Sequence, residues 1–557
     1  MLDPGKTILY QPLKNQSCYE WMLQSNRNIL KLIGKDYPAF VNLDCTTMME
    51  DMKRDIEKLA AYLTSKGFKK GDVISVFLPT SSHAIVAFYA LNKIGVIGSF
   101  IHPLTPPDGL KKILDFTKSK GIFALDRASG FYADILKNTF SIICSTSDYT
   151  SGPVHDFVLA DDRKNSNVPE GDSIVRYCDI MAGEYGSVPT LENFGSEVAV
   201  YLHSSGTTGK SKTVQLSSFA INSVAYKQYD VDIFHDYGES YSLCVLPCFH
   251  AFGLATAIHL CISNGYSTIL MPKFDAEKAN DYIKRYKVQY IDGVPNMFQK
   301  MFAAPNFDNE GLANLNMVFS GGDIVSESFI EEFNKVLIKH GANGRLYRGW
   351  GLTEMCAVCA TNSSLGCRPN SVGPALPGLD AAIFDENMNK LPCGEEGEIA
   401  LSGDTMMLGY LPEKEDDFNG ITYDENGKPW VRTGDMGKMD EEGFIYFTGR
   451  KKRIIIISGY NVYPYSMEQK LMALPYIREV CAVQGYDENA KPIVKLCAAL
   501  SDESMTEEEA KRSLLEFCES NLDRFSVPRK IIIMDSLPRT KMDKLDFMAM
   551  SDPVPTV

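Results

Sequence analysis

Two rhythms of apolar and polar positions alternate along the first part of this chain. In residues 46–66 (TTMMEDMKRDIEKLAAYLTSK) apolar side chains recur every three to four positions, the spacing of a helix with one buried face, and Gly67 ends it. DVISVFLP then predicts a buried strand, SSHAIVAFYALNKIG a helix and VIGSFIHP a strand. PDGLKKILDFTKSKG follows as a helix and IFALDR as a strand. Repeated strand–helix–strand units predict a parallel sheet with helices on its faces. Residues 146–196, rich in Ser, Gly, Asp and Pro, break the rhythm and predict an irregular connection.

From Val198 the alternation resumes. VAVYLH, SLCVLP, STILMP, VQYIDGV and NLNMVFS read as strands, with amphipathic AEKANDYIKRYK and SESFIEEFNKVLIKHG between them, which predicts a second doubly wound layer. After about Gly373, short strands with Gly-rich turns predict a small β unit. Beyond Lys451 the pattern is a compact α/β tail, in which MTEEEAKRSLLEFCESNL is a helix opened by a capping box from Thr506 to Glu509. The fold class is therefore α/β. A large N-terminal domain (residues 1–451) holds two doubly wound sheet layers and a small β unit, and a small α/β C-terminal domain follows (452–557).

Composition narrows the function classes. Of 557 residues, 45% are hydrophobic and 23% charged, so the chain is an ordinary globular protein rather than a disordered one. A formal net charge of −15 argues against a general nucleic-acid or anionic-membrane binder. The 14 cysteines are too sparse for a disulfide framework, and Cys356/Cys359 stand as a lone pair with no second pair at metal-ligand spacing. The N-terminus lacks a signal-peptide pattern, and no stretch approaches ~18 apolar residues. The expectation is a soluble, cytoplasmic, multi-domain protein.

The sharpest chemical signal is His203–Lys212 (HSSGTTGKSK), directly after a strand. Gly206 and Gly209 let the backbone turn tightly and present its N–H groups. Ser204, Ser205, Thr207 and Thr208 add hydroxyl donors, and Lys210 and Lys212 add positive charge. These are the parts for cradling a polyphosphate. A Walker P-loop needs glycine at position 204, where Ser204 stands, and a helix afterwards, where TVQL reads as a strand.

This loop resembles the Ser/Thr/Gly-rich loop of the adenylate-forming ligases, the superfamily of acyl-CoA synthetases, aryl-CoA ligases and peptide-synthetase adenylation domains. Its usual pattern is Thr-Ser-Gly-Thr-Thr-Gly-x-Pro-Lys-Gly; here Ser211 replaces Pro and Thr213 replaces the final Gly, while the lysine is kept as Lys212. Five further blocks follow in the family's order. Pro247–Gly253 (PCFHAFG) resembles the segment beside the substrate carboxylate, although His250 between two phenylalanines reads alone as a core histidine. Ser320–Asp323 (SGGD) resembles the stretch along adenine and the acyl pocket. Gly349–Glu354 (GWGLTE) resembles the Tyr-Gly-x-Thr-Glu block, with Trp350 for the purine, Thr353 for a phosphate and Glu354 for Mg²⁺. Thr433–Asp435 with Gly449–Arg450 resembles the ribose-binding pair, and Leu537–Lys544 (LPRTKMDK) the closing block, with Asp543 in place of its glycine.

The resemblance implies an ATP-dependent ligase that joins a small carboxylic acid to coenzyme A through an acyl-adenylate, with Mg²⁺ as cofactor. Catalysis would rest on Lys544, Glu354 and Thr353, Lys541 being the nearby competitor of Lys544. The nucleotide would lie on Ser204, Ser205, Gly206, Thr207, Thr208, Gly209, Lys212, Gly321, Gly322, Asp323, Trp350, Asp435 and Arg450. His250, Ala251, Phe319 and Gly351 would line the acid pocket, where a glycine at 351 implies room for an acid larger than propionate. Lys452 would be the hinge of a mobile C-terminal domain and Gly459 with Tyr460 the wall of the CoA tunnel. Two other readings stay open: a ligase that loads a separate acyl or peptidyl carrier protein, and a nucleotide-binding relative without catalysis. Neither a nucleic-acid partner nor a membrane span is expected.

Overall fold

The computed structural model describes residues 13–192, 194–204, 212–227, 238–323, 325–412, 414, 419–457, 460–501, 505–539 and 545–553. In the first sheet, Val73–Phe77 lies between Ile97–Phe100 and Gly121–Leu125, all parallel. Strand β1 (Val198–Ser204) extends it in parallel beside Ile97–Phe100, and β2 (Lys212–Ser217) returns antiparallel along β1. The second sheet contains β3 (Tyr241–Cys244), β4 (Tyr290–Gly293), β5 (Met317–Ser320) and β6 (Leu346–Leu352) in parallel, closed by antiparallel β7 (Ala357–Thr361). Two-residue β8 (Gly409–Tyr410) crosses back to pair with β2. A smaller antiparallel sheet carries β9 (Pro429–Met439) and β10 (Phe444–Arg450).

One core joins the two large sheets. The helix Ser82–Lys93 is buried along its whole length, which suits a segment apolar on nearly every face. It packs in a continuous cluster with Phe100, Val200, Leu216, Cys244 and Tyr290. Each sheet buries its other face separately, around Ile122 and Leu136 in one case and Ile291 and Phe298 in the other. From Ile455 onward the chain closes its own core around Leu471, Leu496 and Leu514. There α1 (Pro464–Met472) and α2 (Glu507–Asn521) cover the strands Ile477–Tyr486, Pro492–Leu500 and Lys530–Ile533, and Thr506 forms the expected capping box with Glu509. Among the described residues, no helix is long and apolar enough to cross a membrane.

The irregular connection expected over 146–196 is instead partly helical, with helices at Gly152–Asn165 and Tyr177–Ala182 and a short strand at Ile174–Arg176. The longer helix buries only Val158 and Asp162, so it carries little apolar signal. Tertiary polar contacts hold it: Arg127 pairs with Asp161 and Asp162, and the Ser147 N–H donates to Asp162 at 2.8 Å.

Candidate active site

The hairpin β1–β2 ends where the polar loop begins. Ser204 Oγ donates to the Lys212 carbonyl at 3.2 Å, which ties the two strand ends together. Ser205, Gly206, Thr207, Thr208, Gly209, Lys210 and Ser211 lie outside the described residues. One pair before the last of the hairpin, His203, opposite Thr213, is a structural residue. Its ring nitrogens contact Ser99 at 3.0 Å and Thr213 at 2.9 Å, and burial pushes it down to about 4, so it is neutral near pH 7.

Tyr410 links two of the expected site residues, and nothing in the sequence pointed to it. The Lys212 ammonium lies 4.1 Å from the centre of its ring, and its hydroxyl donates to Glu354 Oε1 at 2.8 Å. Burial, then the charge of Glu354, raises the phenol's pKa and keeps it a donor. The link exists because β8 pairs with β2, Tyr410 opposite Val214, while the Met407 N–H donates to the Glu354 carbonyl at 2.8 Å. Thr353 and Glu354 begin the 3₁₀ turn after β6, at the C-terminal end of a parallel strand, where open α/β sheets bind ligands.

A second group forms across β6, β9 and β10. Asp435 is 3% exposed; its Oδ2 accepts from the Trp350 indole N–H at 2.9 Å and its Oδ1 faces Arg450 Nε at 3.1 Å. Asp435 and Arg450 are direct partners in the β9–β10 register. Burial raises the Asp435 pKa, and Arg450 and the indole N–H oppose that rise. Trp350 thus meets Asp435 through its N–H, and both Asp435 oxygens have partners.

The glycine segment lies at the end of β5. Gly322 adopts φ +81°, and a side chain at Gly321 would touch the Phe252 ring at 3.4 Å, so Phe252 packs directly on this strip. Asp323 is exposed just beyond it. His250 and Ala251 lead into a π-helix, Phe252–Leu260, of a kind found often at functional sites. Phe319 belongs to an aromatic row, with ring centres 6.2 Å from Tyr290 and 6.1 Å from Tyr347.

Gly351 departs from the expectation of an open pocket wall. A Cβ there would lie 1.6 Å from the Ala357 carbonyl oxygen and 2.9 Å from the Val358 Cα. The direction a side chain would take is thus filled by β7 backbone. The chain reverses here through Cys356 and Ala357, both non-glycine residues with positive φ, +57° and +91°. Cys356 and Cys359 are both buried, and burial raises both thiols.

Lys452 is exposed in the 3₁₀ turn Lys451–Arg453. It lies between two anchored arginines: Arg450 on Asp435, and Arg453, which pairs with buried Glu468, donates to the Ala482 carbonyl at 3.2 Å and lies 3.8 Å from the Phe547 ring centre. Tyr460 stacks on Phe525, ring centres 3.9 Å apart, and stays 54% exposed. Gly459, Lys541 and Lys544 lie outside the described residues.

Two large sheets sharing one core, polar groups gathered at strand ends and a separately cored C-terminal unit define an α/β protein with a candidate ligand site at the strand ends. Residues 34–411 match the AMP-binding enzyme family and residues 466–544 its C-terminal domain; the chain belongs to that family. The superfamily read from the motifs is thereby borne out. Among curated relatives, the long-chain-fatty-acid–CoA ligase of Bacillus subtilis (strain 168) is 30% identical over 89% of this chain and 88% of its own length. The 4-coumarate–CoA ligase 2 of Nicotiana tabacum is 26% identical over 89% and 87%. The o-succinylbenzoate CoA synthetase of Bacillus subtilis, solved with its acyl-adenylate, superposes with a TM-score of 0.74 at 20% identity, over 97% of this chain and 98% of that one, and shows the shared fold.

Proposed function

We propose that this chain is an ATP-dependent carboxylic acid–CoA ligase that works through an acyl-adenylate, on an acid larger than propionate, aliphatic of medium length or aromatic. The observation that carries the reading is the joining of Lys212 to Glu354 through Tyr410. That contact brings together a cation and a carboxylate, the pair this reading assigns to a nucleotide's phosphates and their Mg²⁺. The relatives named for long-chain-fatty-acid and 4-coumarate ligation support an acid larger than propionate.

A carboxylate is a poor electrophile for a thiol. Its oxygen attacks the α-phosphorus of ATP and pyrophosphate leaves; the CoA thiol then attacks the acyl carbon and AMP leaves. Lys212, Thr353 and the hydroxyls of the 204–208 segment would hold phosphate oxygens, Lys544 would stabilise charge at phosphorus, and Asp435 with Arg450 would hold the ribose. No group of three or more potential metal ligands occurs among the described residues. Half-buried Glu354 fits Mg²⁺ as a single hard-oxygen ligand, the rest coming from nucleotide phosphates and water; when bound, the ion neutralises phosphate charge. The test is pyrophosphate release against a panel of straight-chain and aromatic acids. Acid-dependent release that yields a CoA thioester supports the reading. Release without any dependence on an acid sinks it, and transfer only to a carrier-protein thiol replaces CoA as the acceptor.

In the same reading the C-terminal domain begins at Lys452 and turns about it between the two half-reactions. A proline at 452 suits the 3₁₀ turn seen here and locks φ near −65°. Lys452→Pro is expected to leave adenylation largely intact and to cripple thioester formation. Unchanged steady-state turnover would remove Lys452 from the hinge.

A further inference from the structure

The Asp435 carboxylate is held by donors from two different sheets. Its main chain is pinned first: the Asp435 N–H donates to Thr433 Oγ1 at 3.0 Å, and that hydroxyl donates to the Ile399 carbonyl at 2.7 Å. What remains free is rotation of the side chain. Arg450, its partner across β9 and β10, faces Oδ1 through Nε at 3.1 Å. The Trp350 indole N–H donates to Oδ2 at 2.9 Å from β6 of the second sheet, 85 residues away in the chain.

A carboxylate offers about four acceptor positions, two on each oxygen. With one taken on Oδ1 and one on Oδ2, one stays open on each. Two open positions in one fixed plane suit two hydroxyls on adjacent carbons, as in a ribose. Burial raises the Asp435 pKa, and Arg450 and Trp350 oppose that rise, so both donors favour the ionised form, which only accepts.

The indole has little freedom of its own. It packs against two buried clusters, one around Leu401 and Val431 and the other around Ile399 and Ile445. The β6–β7 register slips between Trp350 and Gly351, an irregularity of the kind that re-aims a side chain. A phenylalanine could fill much of the same space, but it carries no donor.

We propose that Trp350 is a positioning residue for nucleotide recognition: its indole N–H fixes the plane of the Asp435 carboxylate, so that the acid distinguishes a ribonucleotide from a deoxyribonucleotide. This rests on the reading above, in which Asp435 and Arg450 hold the ribose. Trp350 stands on β6 just before Thr353 and Glu354, so the same contact ties the ribose acid to the strand that carries the residues assigned to phosphate and Mg²⁺. Without the N–H, Arg450 alone restrains the carboxylate, and its open positions no longer keep one direction.

The test is calorimetric titration of AMP, 2′-deoxy-AMP and 3′-deoxy-AMP, which needs no turnover. The wild type is expected to bind AMP about tenfold more tightly than the deoxy forms, as hydroxyls donating to a charged acceptor should give. Trp350→Phe should lose about tenfold in AMP affinity and little in deoxy affinity, which brings the ratio close to one. 3-Benzothienylalanine placed at position 350 (the shape of tryptophan with sulfur for N–H) should do the same. Asp435→Ala should flatten the ratio equally, and adding Trp350→Phe to it should change the ratio no further. Variants at 350 that keep the wild-type ratio overturn the proposal, even if all three nucleotides bind more weakly. The benzothienyl variant decides the matter if Trp350→Phe does not fold. A wild type that binds all three nucleotides alike removes the ribose from Asp435, and the proposal falls together with that reading. A wild type that discriminates, beside variants at 350 that discriminate as well, overturns this proposal alone.

Discussion

Alanine in place of Lys544 is expected to lower ATP–pyrophosphate exchange by about 10²–10³-fold, the scale for removing one preorganised charge-stabilising donor. Negative charge develops on the α-phosphate during adenylation and nowhere near that lysine during thiol attack, if the domain has turned in between. The variant should therefore still convert supplied acyl-AMP and CoA to thioester at close to the wild-type rate. Measuring both half-reactions separates the outcomes. Equal loss in both would end the division of labour between Lys544 and the Gly459 face, and loss confined to Lys541→Ala would move the role to that neighbour.

The second large effect is expected at Gly351. Its missing side chain suggests an open acid pocket that a bulky residue would close. The structure instead aims that side chain at the Ala357 carbonyl. Gly351→Ala must push β6 away from β7 at the strained Cys356–Ala357 reversal, and the displacement moves Thr353 and Glu354, which lie between them in the chain. The expected cost is about 3 kcal/mol, as for a substitution that forces backbone to shift. Melting temperature should fall, and kcat/KM for acetate, hexanoate and benzoate should fall together. A variant of unchanged stability that loses the larger acids but gains acetate would restore Gly351 to the pocket wall.

The two effects differ in how far the sequence reaches. Lys544, Lys212, Glu354, Asp435 and Arg450 stand in motifs whose residue types suggest phosphate, metal or ribose chemistry before any fold is known. The doubly wound layers were equally legible, because buried parallel strands are apolar on both faces and their helices keep one apolar stripe. So was the Thr506–Glu509 cap, a contact within one turn of chain.

What stayed hidden depends on approach between distant segments. Tyr410 reaches Glu354 only because β8 crosses to the edge of the first sheet, and two residues of strand carry no periodicity to announce it. The helix Gly152–Asn165 is held by Arg127 and by the Ser147 N–H, partners outside its own pattern. The space beside Gly351 is set by β7 backbone, which no side-chain pattern records. By itself the sequence determined which segments form the layers and which residue types suit the chemistry proposed, since both follow from residue type and local period. The tertiary structure alone decided which of those residues touch and which way a missing side chain would have pointed, since both depend on strand pairing between segments far apart in the chain.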